Sequence, residues 1–272
     1  GLTAIYDIVI PPHGLRVNYP PVFLYVLWGL AHVFSILSIA LVKLPAIAID
    51  LLLGGVVWHV LRAQSVTRQL VATTFVLLSP AVFLISSFWG QVDNLYTLFA
   101  VFAVWAAVRK RWVGAGVLAA LAVCTKMQAI VIIPVLIALL LVYQNRLAVL
   151  RCAGAAVLTL LAVFAPFLVA GKFVVLVRPF LGVVKQYAYL TMNAMNMWWP
   201  ISAHAPMLDS TRFFGIHGIA IGIGLVVLAW AWSLRVVSPP RNPHLMQLTD
   251  LTWPAVQALS KDTPVVFPIA AL

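Results

Sequence analysis

The sequence predicts an all-α polytopic membrane protein, a bundle of about seven or eight transmembrane helices with a short amphipathic C-terminal tail. Three observations lead there. The 272 residues are 64% hydrophobic with a mean hydropathy of +1.08, well above the roughly 45–50% apolar usage of soluble domains. Long apolar runs recur along the chain and are separated by short polar turns. Seventeen Lys and Arg stand against six acids, a formal charge of +11, and many of the basic residues occupy those turns. That is the positive-inside pattern of cytoplasmic loops rather than a nucleic-acid face. The expected partner is therefore the membrane, and no nucleic acid is expected.

Taken in order, the chain opens at Gly1 with neither Met nor a basic, apolar leader, so its beginning is expected to be missing. Residues Gly1 to Asn18 are mixed in polarity and interrupted by Pro11 and Pro12. A first apolar run then extends from Pro20 to Val42, its leading proline tolerated because the first N–H of a helix has no partner. Further runs follow at Leu44 to Leu61, Leu70 to Phe88, Val92 to Val108, Trp112 to Cys124, Ala129 to Tyr143, Cys152 to Gly171 and Phe213 to Leu234. Several fall short of the roughly 20 residues that span a bilayer squarely, and flanking Trp, Lys and Arg extend them to the interface. Between Lys172 and Arg212 the pattern breaks at Lys185, Gln186, Tyr187, Trp198 and Trp199, which reads as an interfacial or partly re-entrant segment. Residues 1–237 are thus one transmembrane region. Residues 238–245 form a Pro-rich linker, and 246–272 an amphipathic tail.

The turns holding Arg62 and Arg68, Arg109 to Arg111, Arg146 and Arg151, and Arg235 all fall inside in one topology. The clusters Trp89-Gly90-Gln91-Val92-Asp93 and Lys126-Met127-Gln128, one apolar crossing on either side of Arg109 to Arg111, then share the outer face. Charges near membrane depth are costly, so such clusters usually face a cavity or a partner. Asp93 reads either as a helix N-cap or, beside the aromatic face of Trp89, the small Gly90 and the amide of Gln91, as a contact for sugar hydroxyls. Lys126 reads as a snorkelling interfacial lysine or, with Gln128, as a cradle for a lipid-linked phosphate. Asp50, in mid-run, reads as a polar contact between helices. His32, His59 and His217 are solitary, and Cys124 and Cys152 have no partner spacing, so no metal site is expected. Phosphate-binding loops, dinucleotide fingerprints and nucleophile elbows are absent from the sequence.

Asn18-Tyr19-Pro20-Pro21-Val22-Phe23, Val42-Lys43-Leu44-Pro45 followed by Asp50, Trp89 to Asp93, Lys126 to Gln128, and Asn193-Ala194-Met195-Asn196-Met197-Trp198-Trp199 together resemble the bacterial mannosyltransferases related to the second mannosyltransferase of GPI-anchor synthesis. These are multi-spanning glycosyltransferases of the GT-C superfamily, and the resemblance covers about Tyr6 to Leu234. It implies a GT-C-like bundle in the cell membrane that transfers a hexose, mannose by family, from a polyprenyl-phosphate-linked donor to a lipid or glycan acceptor at the periplasmic or extracellular face. It also implies inverting displacement, with a carboxylate taking the acceptor proton as the polyprenyl phosphate leaves. Carried onto this chain, the catalytic candidates are Asp7 and Asp93. The substrate-binding candidates are Trp89, Gln91, Lys126, Gln128, Asn193 and Asn196. No cofactor is assigned from these residues, and a divalent cation stays open. In such enzymes the base lies in a first outer loop after a span this chain lacks; Asp7 is the acid left there. Met127 stands where the family often has Pro and is expected to change the local backbone. The alternatives are a transporter or flippase, whose intramembrane Asp and Lys would line a path, or an inactive fragment of the transferase. No internal inverted repeat favours the transporter. The tail from Met246 to Leu272 resembles the opening of creatininase-family amidohydrolases, with Leu251-Thr252-Trp253-Pro254 leading into a strand at Val265 to Leu272, and stops before that family's first metal motif.

Overall fold

The computed structural model describes residues 2–7, 9–10, 15–17, 19–34, 38–143, 146–174, 177, 189–191, 196–203 and 205–237. Asn193, the Pro-rich linker and the tail lie outside the described residues.

Helices dominate, and their ends are set by caps that hydropathy alone does not reveal. The run expected from Pro20 to Val42 is divided: α1 covers Pro21–Val33 and stops at Phe34, whose backbone is extended. The next helix, α2 (Ile39–Val60), begins before the expected Leu44 and continues through Pro45. Its start is marked by Ser38, whose Oγ accepts the Leu41 N–H at 3.3 Å, the usual service of a serine ahead of a helix. Ser65 likewise opens α3 (Val66–Leu77) by accepting the Arg68 N–H. The expected Leu70 to Phe88 span is therefore shifted and broken. After α3 a single helical turn, α4 (Pro80–Val82), passes into a π-helical segment, Phe83–Phe88. Ser79-Pro80 accounts for the break, because the residue before a proline is steered away from helical geometry.

Beyond the loop 89–92, α5 (Asp93–Val108) and α6 (Trp112–Thr125) are joined through the basic turn, and Lys126 interrupts the path before a 3-10 segment, Met127–Val131. α7 (Ile132–Tyr143) and α8 (Arg146–Val169) follow, and the last described helix runs Gly218–Val237. Among the described residues, two helices are long and apolar enough to cross a membrane: Ala40–Val60 within α2, and α8. Each is about 30 Å or longer at the helical rise, against a hydrocarbon core of about 30 Å. The other apolar helices run 10–17 residues, so the count of seven or eight crossings rests on the sequence. Large apolar side chains stand exposed on these helices, among them Leu51, Leu52, Phe75, Leu158 and Val169. Hydrocarbon, unlike water, solvates such a surface without cost.

The all-α expectation needs one correction, since short antiparallel strand pairs are present: β1 (Val9–Ile10) with β2 (Leu15–Arg16), β3 (Tyr189–Thr191) with β4 (Met207–Leu208), and β5 (Arg212–Phe213) with β6 (Ile216–His217). The last pair displaces the expected helix start at Phe213. Phe214 and Gly215 both have positive φ, 52° and 81°, which is the backbone of a two-residue hairpin turn. In the expected interfacial segment the described residues thus include strands as well as helical positions, among them the turn Trp198–Ile201, with Trp198 stacked on Phe213 at 4.9 Å.

The chain divides into two compact units, one containing Gly1–Val42 and Leu95–Val237, the other Lys43–Asn94. In the first, α6 and α8 pack through small residues. Ala115, Ala119, Ala148 and Cys152 are buried together, and a Cβ on Gly116 would fall 2.0 Å from the Cys152 carbonyl oxygen. The same unit holds the aromatic group of Tyr6, Tyr25 and Phe167. Tyr25 reaches from α1 to the Val163 carbonyl of α8 at 2.7 Å. In the second unit α2 carries α3 and the π-helical segment, and Leu77 fills the space over Gly54.

Candidate functional site

The loop Trp89–Val92 leaves the π-helical segment with its N–H groups still turned inward. Trp89 N–H donates to Leu84 O and Gln91 N–H to Ile85 O, each at 2.9 Å. Gly90 then takes φ +78°, a region that costs other residues steric strain, and the chain turns into α5. The turn separates the side chains. Trp89 is 71% exposed while Val92 is buried, so the indole face is presented outward and the loop is anchored by the valine. Asp93 occupies the first turn of α5, where a carboxylate meets free N–H groups and the positive end of the helix. The helix-start reading of Asp93 thus describes its place: Trp89 and Gln91 lie on one short loop and Asp93 opens the helix that follows it.

Behind this loop are residues that the site expectations did not include. Lys43 Nζ donates to Phe88 O at 2.6 Å. Asp50 is buried and accepts from Ser86 Oγ and, at 2.8 Å, from Asn94 Nδ2. Asn94 also donates to Ala46 O. Asp50 is therefore the polar contact between helical segments that its mid-run position implies. A signal for the pair was available in the sequence: Lys43 and Asp50 are seven residues apart on an otherwise apolar helix, which puts them on one face.

In the first unit, Lys126 closes α6 in an extended conformation, φ −153° and ψ 131°, with its N–H on Ala122 O. This is the backbone region that a following proline would impose. Lys126 adopts it with Met127 next in line. The Lys126 carbonyl accepts the Ala129 N–H at 3.0 Å, and Gln128 is exposed in the 3-10 turn.

Asp7 ends the 3-10 turn Leu2–Asp7 and is ion-paired with Lys172 at 2.8 Å. Its neighbour Tyr6 is buried and donates to Tyr19 O at 2.7 Å, and burial pushes the Tyr6 phenol well above its ordinary range. Asn196 serves its own backbone. Its Nδ2 donates to Leu190 O at 2.8 Å and its Oδ1 accepts the Trp198 N–H at 3.1 Å, two residues on. Among the described residues no group of three His, Cys, Asp or Glu is placed to hold a metal ion.

A family model for the dolichyl-phosphate-mannose-protein mannosyltransferases matches residues 18–169, more than half of the chain. The chain belongs to that family. It is accordingly a membrane glycosyltransferase of the GT-C type by family. The matched region takes in Lys43, Asp50, the Trp89–Asp93 loop and Lys126 to Gln128, and leaves Asp7, Asn193 and Asn196 outside. Neither a curated protein nor a solved structure matches the chain.

Proposed function

We propose that this family member transfers mannose or a related hexose from a polyprenyl-phosphate-linked donor to a lipid or glycan acceptor at the outer face of the cell membrane, in the manner of the bacterial relatives of the second GPI mannosyltransferase. The observation that carries the reading is the family match across residues 18–169, together with an exposed Trp89 beside Gln91 and Asp93 inside it. An indole face suits the apolar face of a pyranose, and an amide and a carboxylate suit its hydroxyls. Lys126 and Gln128 supply a cation and a donor to the phosphate, and Asn193 a further polar contact. Asp7 and Asp93 are the carboxylates from which the base is drawn. That base takes the acceptor hydroxyl proton while the acceptor oxygen bonds to the anomeric carbon. The bond from that carbon to the phosphate oxygen breaks, its electron pair leaves on the polyprenyl phosphate, and fixed positive charge stabilises the developing anion.

The test is transfer of radiolabelled mannose from a synthetic polyprenyl phosphate donor in membranes containing the protein. Asp93→Asn and Lys126→Ala are each expected to lower the rate about tenfold to a hundredfold, the loss of one charge-assisted contact, with membrane insertion intact. Unchanged transfer in both variants rejects the reading.

A further inference from the structure

Ser86 precedes the Trp89–Asp93 loop and Asn94 follows it, and both are bonded to Asp50: Ser86 Oγ to Oδ2, Asn94 Nδ2 to Oδ1 at 2.8 Å. The second amide hydrogen of Asn94 goes to Ala46 O, one turn earlier on α2. Two turns before Asp50, Lys43 donates to Phe88 O at 2.6 Å, at the end of the π-helical segment, where carbonyls lack helical partners. The loop backbone also rests on the lysine stem, because a Cβ on Gly90 would lie 3.2 Å from Lys43 Cγ. Asp50, Ser86 and Asn94 are all buried. A buried carboxylate persists where its oxygens are bonded, and here each oxygen receives a different stem of one loop. A π-helical segment is rare and concentrates at functional sites.

We infer that Asp50 is a positioning residue for the Trp89–Asp93 loop, fastening both stems to α2, with Lys43 as its second point of attachment. The inference rests on the reading of that loop as the sugar-contacting part of the site. It makes hydrogen bonding, not charge, the property that Asp50 supplies. Ser86 Oγ also lies 2.6 Å from Val82 O. An asparagine at position 50 can therefore accept from Asn94 with its oxygen and donate to Ser86 with its nitrogen, while Ser86 turns its own proton to Val82. A leucine of similar volume can do neither.

The experiment places a nitroxide at Gln91→Cys, and separately at Thr67→Cys on α3 as a control in the same unit, in membranes containing the full chain. Spectra are compared among the parent, Asp50→Asn and Asp50→Leu, and transfer is measured in the same substitutions without the label. Asp50→Leu is expected to mobilise the Gln91 label, leave the Thr67 label unchanged and lower transfer about tenfold to a hundredfold, the effect of misplacing substrate-orienting groups by about 1 Å. Asp50→Asn is expected to restore both readouts. Lys43→Met frees the first stem alone, and it gives the same comparison if Asp50→Leu fails to insert. A Gln91 label unmoved by both Asp50→Leu and Lys43→Met, or an Asp50→Asn variant as damaged as Asp50→Leu, overturns the inference. A label that moves as expected, in a protein whose Trp89→Ala and Asp93→Asn variants transfer normally, upholds the positioning role and rejects the sugar-contact reading instead.

Discussion

The Lys172 ammonium lies 2.8 Å from the Asp7 carboxylate, closing a contact between residues 165 positions apart. It ties the N-terminal 3-10 turn to the residues just after α8, and it sets the company that Asp7 keeps in any catalytic role. Both side chains are more than a third exposed, so the pair adds only roughly 0–1 kcal/mol to stability once solvent screening is counted. Function and stability are then separable. If Asp7 is the base, Asp7→Asn lowers mannose transfer about a hundredfold or more, the usual contribution of a general base. Its thermal midpoint in detergent should barely move. Lys172→Gln should share the small stability effect and keep the carboxylate. Transfer by Asp7→Asn at the parental rate would assign the base elsewhere, with Asp93 the remaining candidate.

Tyr6 gives the opposite profile, a stability effect from a residue given no part in transfer. Its ring is buried edge-on against Phe167 and its hydroxyl donates to Tyr19 O. Tyr6→Phe keeps the ring and removes the hydrogen bond, at a cost of about 1 kcal/mol. A pH dependence follows from the same burial. The folded phenol titrates above the ordinary value of about 10 because burial disfavours the phenolate. Its contribution is therefore full below that ordinary value and is lost as pH rises past it, when the unfolded phenol ionises first. Unfolding midpoints of parent and Tyr6→Phe, measured upward from pH 9, should converge. Parallel curves would show that the hydroxyl is not held as described.

How far the fold could be read in advance depended on the range of the interaction. The helical, membrane-embedded class was legible because it rests on composition and run length, properties of every segment at once. Helix ends were less so. Ser38 and Ser65 begin α2 and α3 through one hydrogen bond each, which hydropathy does not register, and Ser79-Pro80 divides a run that looked continuous. The loop Trp89–Asp93 was visible as a polar island in apolar sequence. Its support was only partly visible: the spacing of Lys43 and Asp50 marks one helix face, but nothing local says that Ser86 and Asn94 meet it. The Asp7 to Lys172 pair was invisible for the same reason. The local bonds of Asn196 were likewise invisible, since its residue type says nothing of the backbone groups that each end of its amide meets.

The close approach of α6 and α8 at Gly116 supplies a sharp test of the packing. A Cβ on Gly116 would stand 2.0 Å from Cys152 O, 2.9 Å from its carbonyl carbon and 3.1 Å from the Ala156 nitrogen. All three are backbone atoms, so no rotamer change can make room, and α6 and α8 would have to separate. Gly116→Ala is expected to cost about 1–3 kcal/mol, the range for overpacking, and to loosen the buried contacts of Ala115, Ala119, Ala148 and Cys152. Two residues earlier on the same helix, a Cβ on Gly114 would meet only Ala106 Cβ, at an ordinary 3.8 Å. Gly114→Ala should therefore be neutral or stabilising by up to about 1 kcal/mol, the helix preference of alanine over glycine. The two variants make the same chemical change on one helix, so propensity and hydrophobicity cancel in the comparison. Thermal unfolding in detergent should rank them Gly114→Ala, parent, Gly116→Ala. Equal midpoints for the two variants would mean that α6 and α8 do not approach at Gly116 as closely as the structure places them.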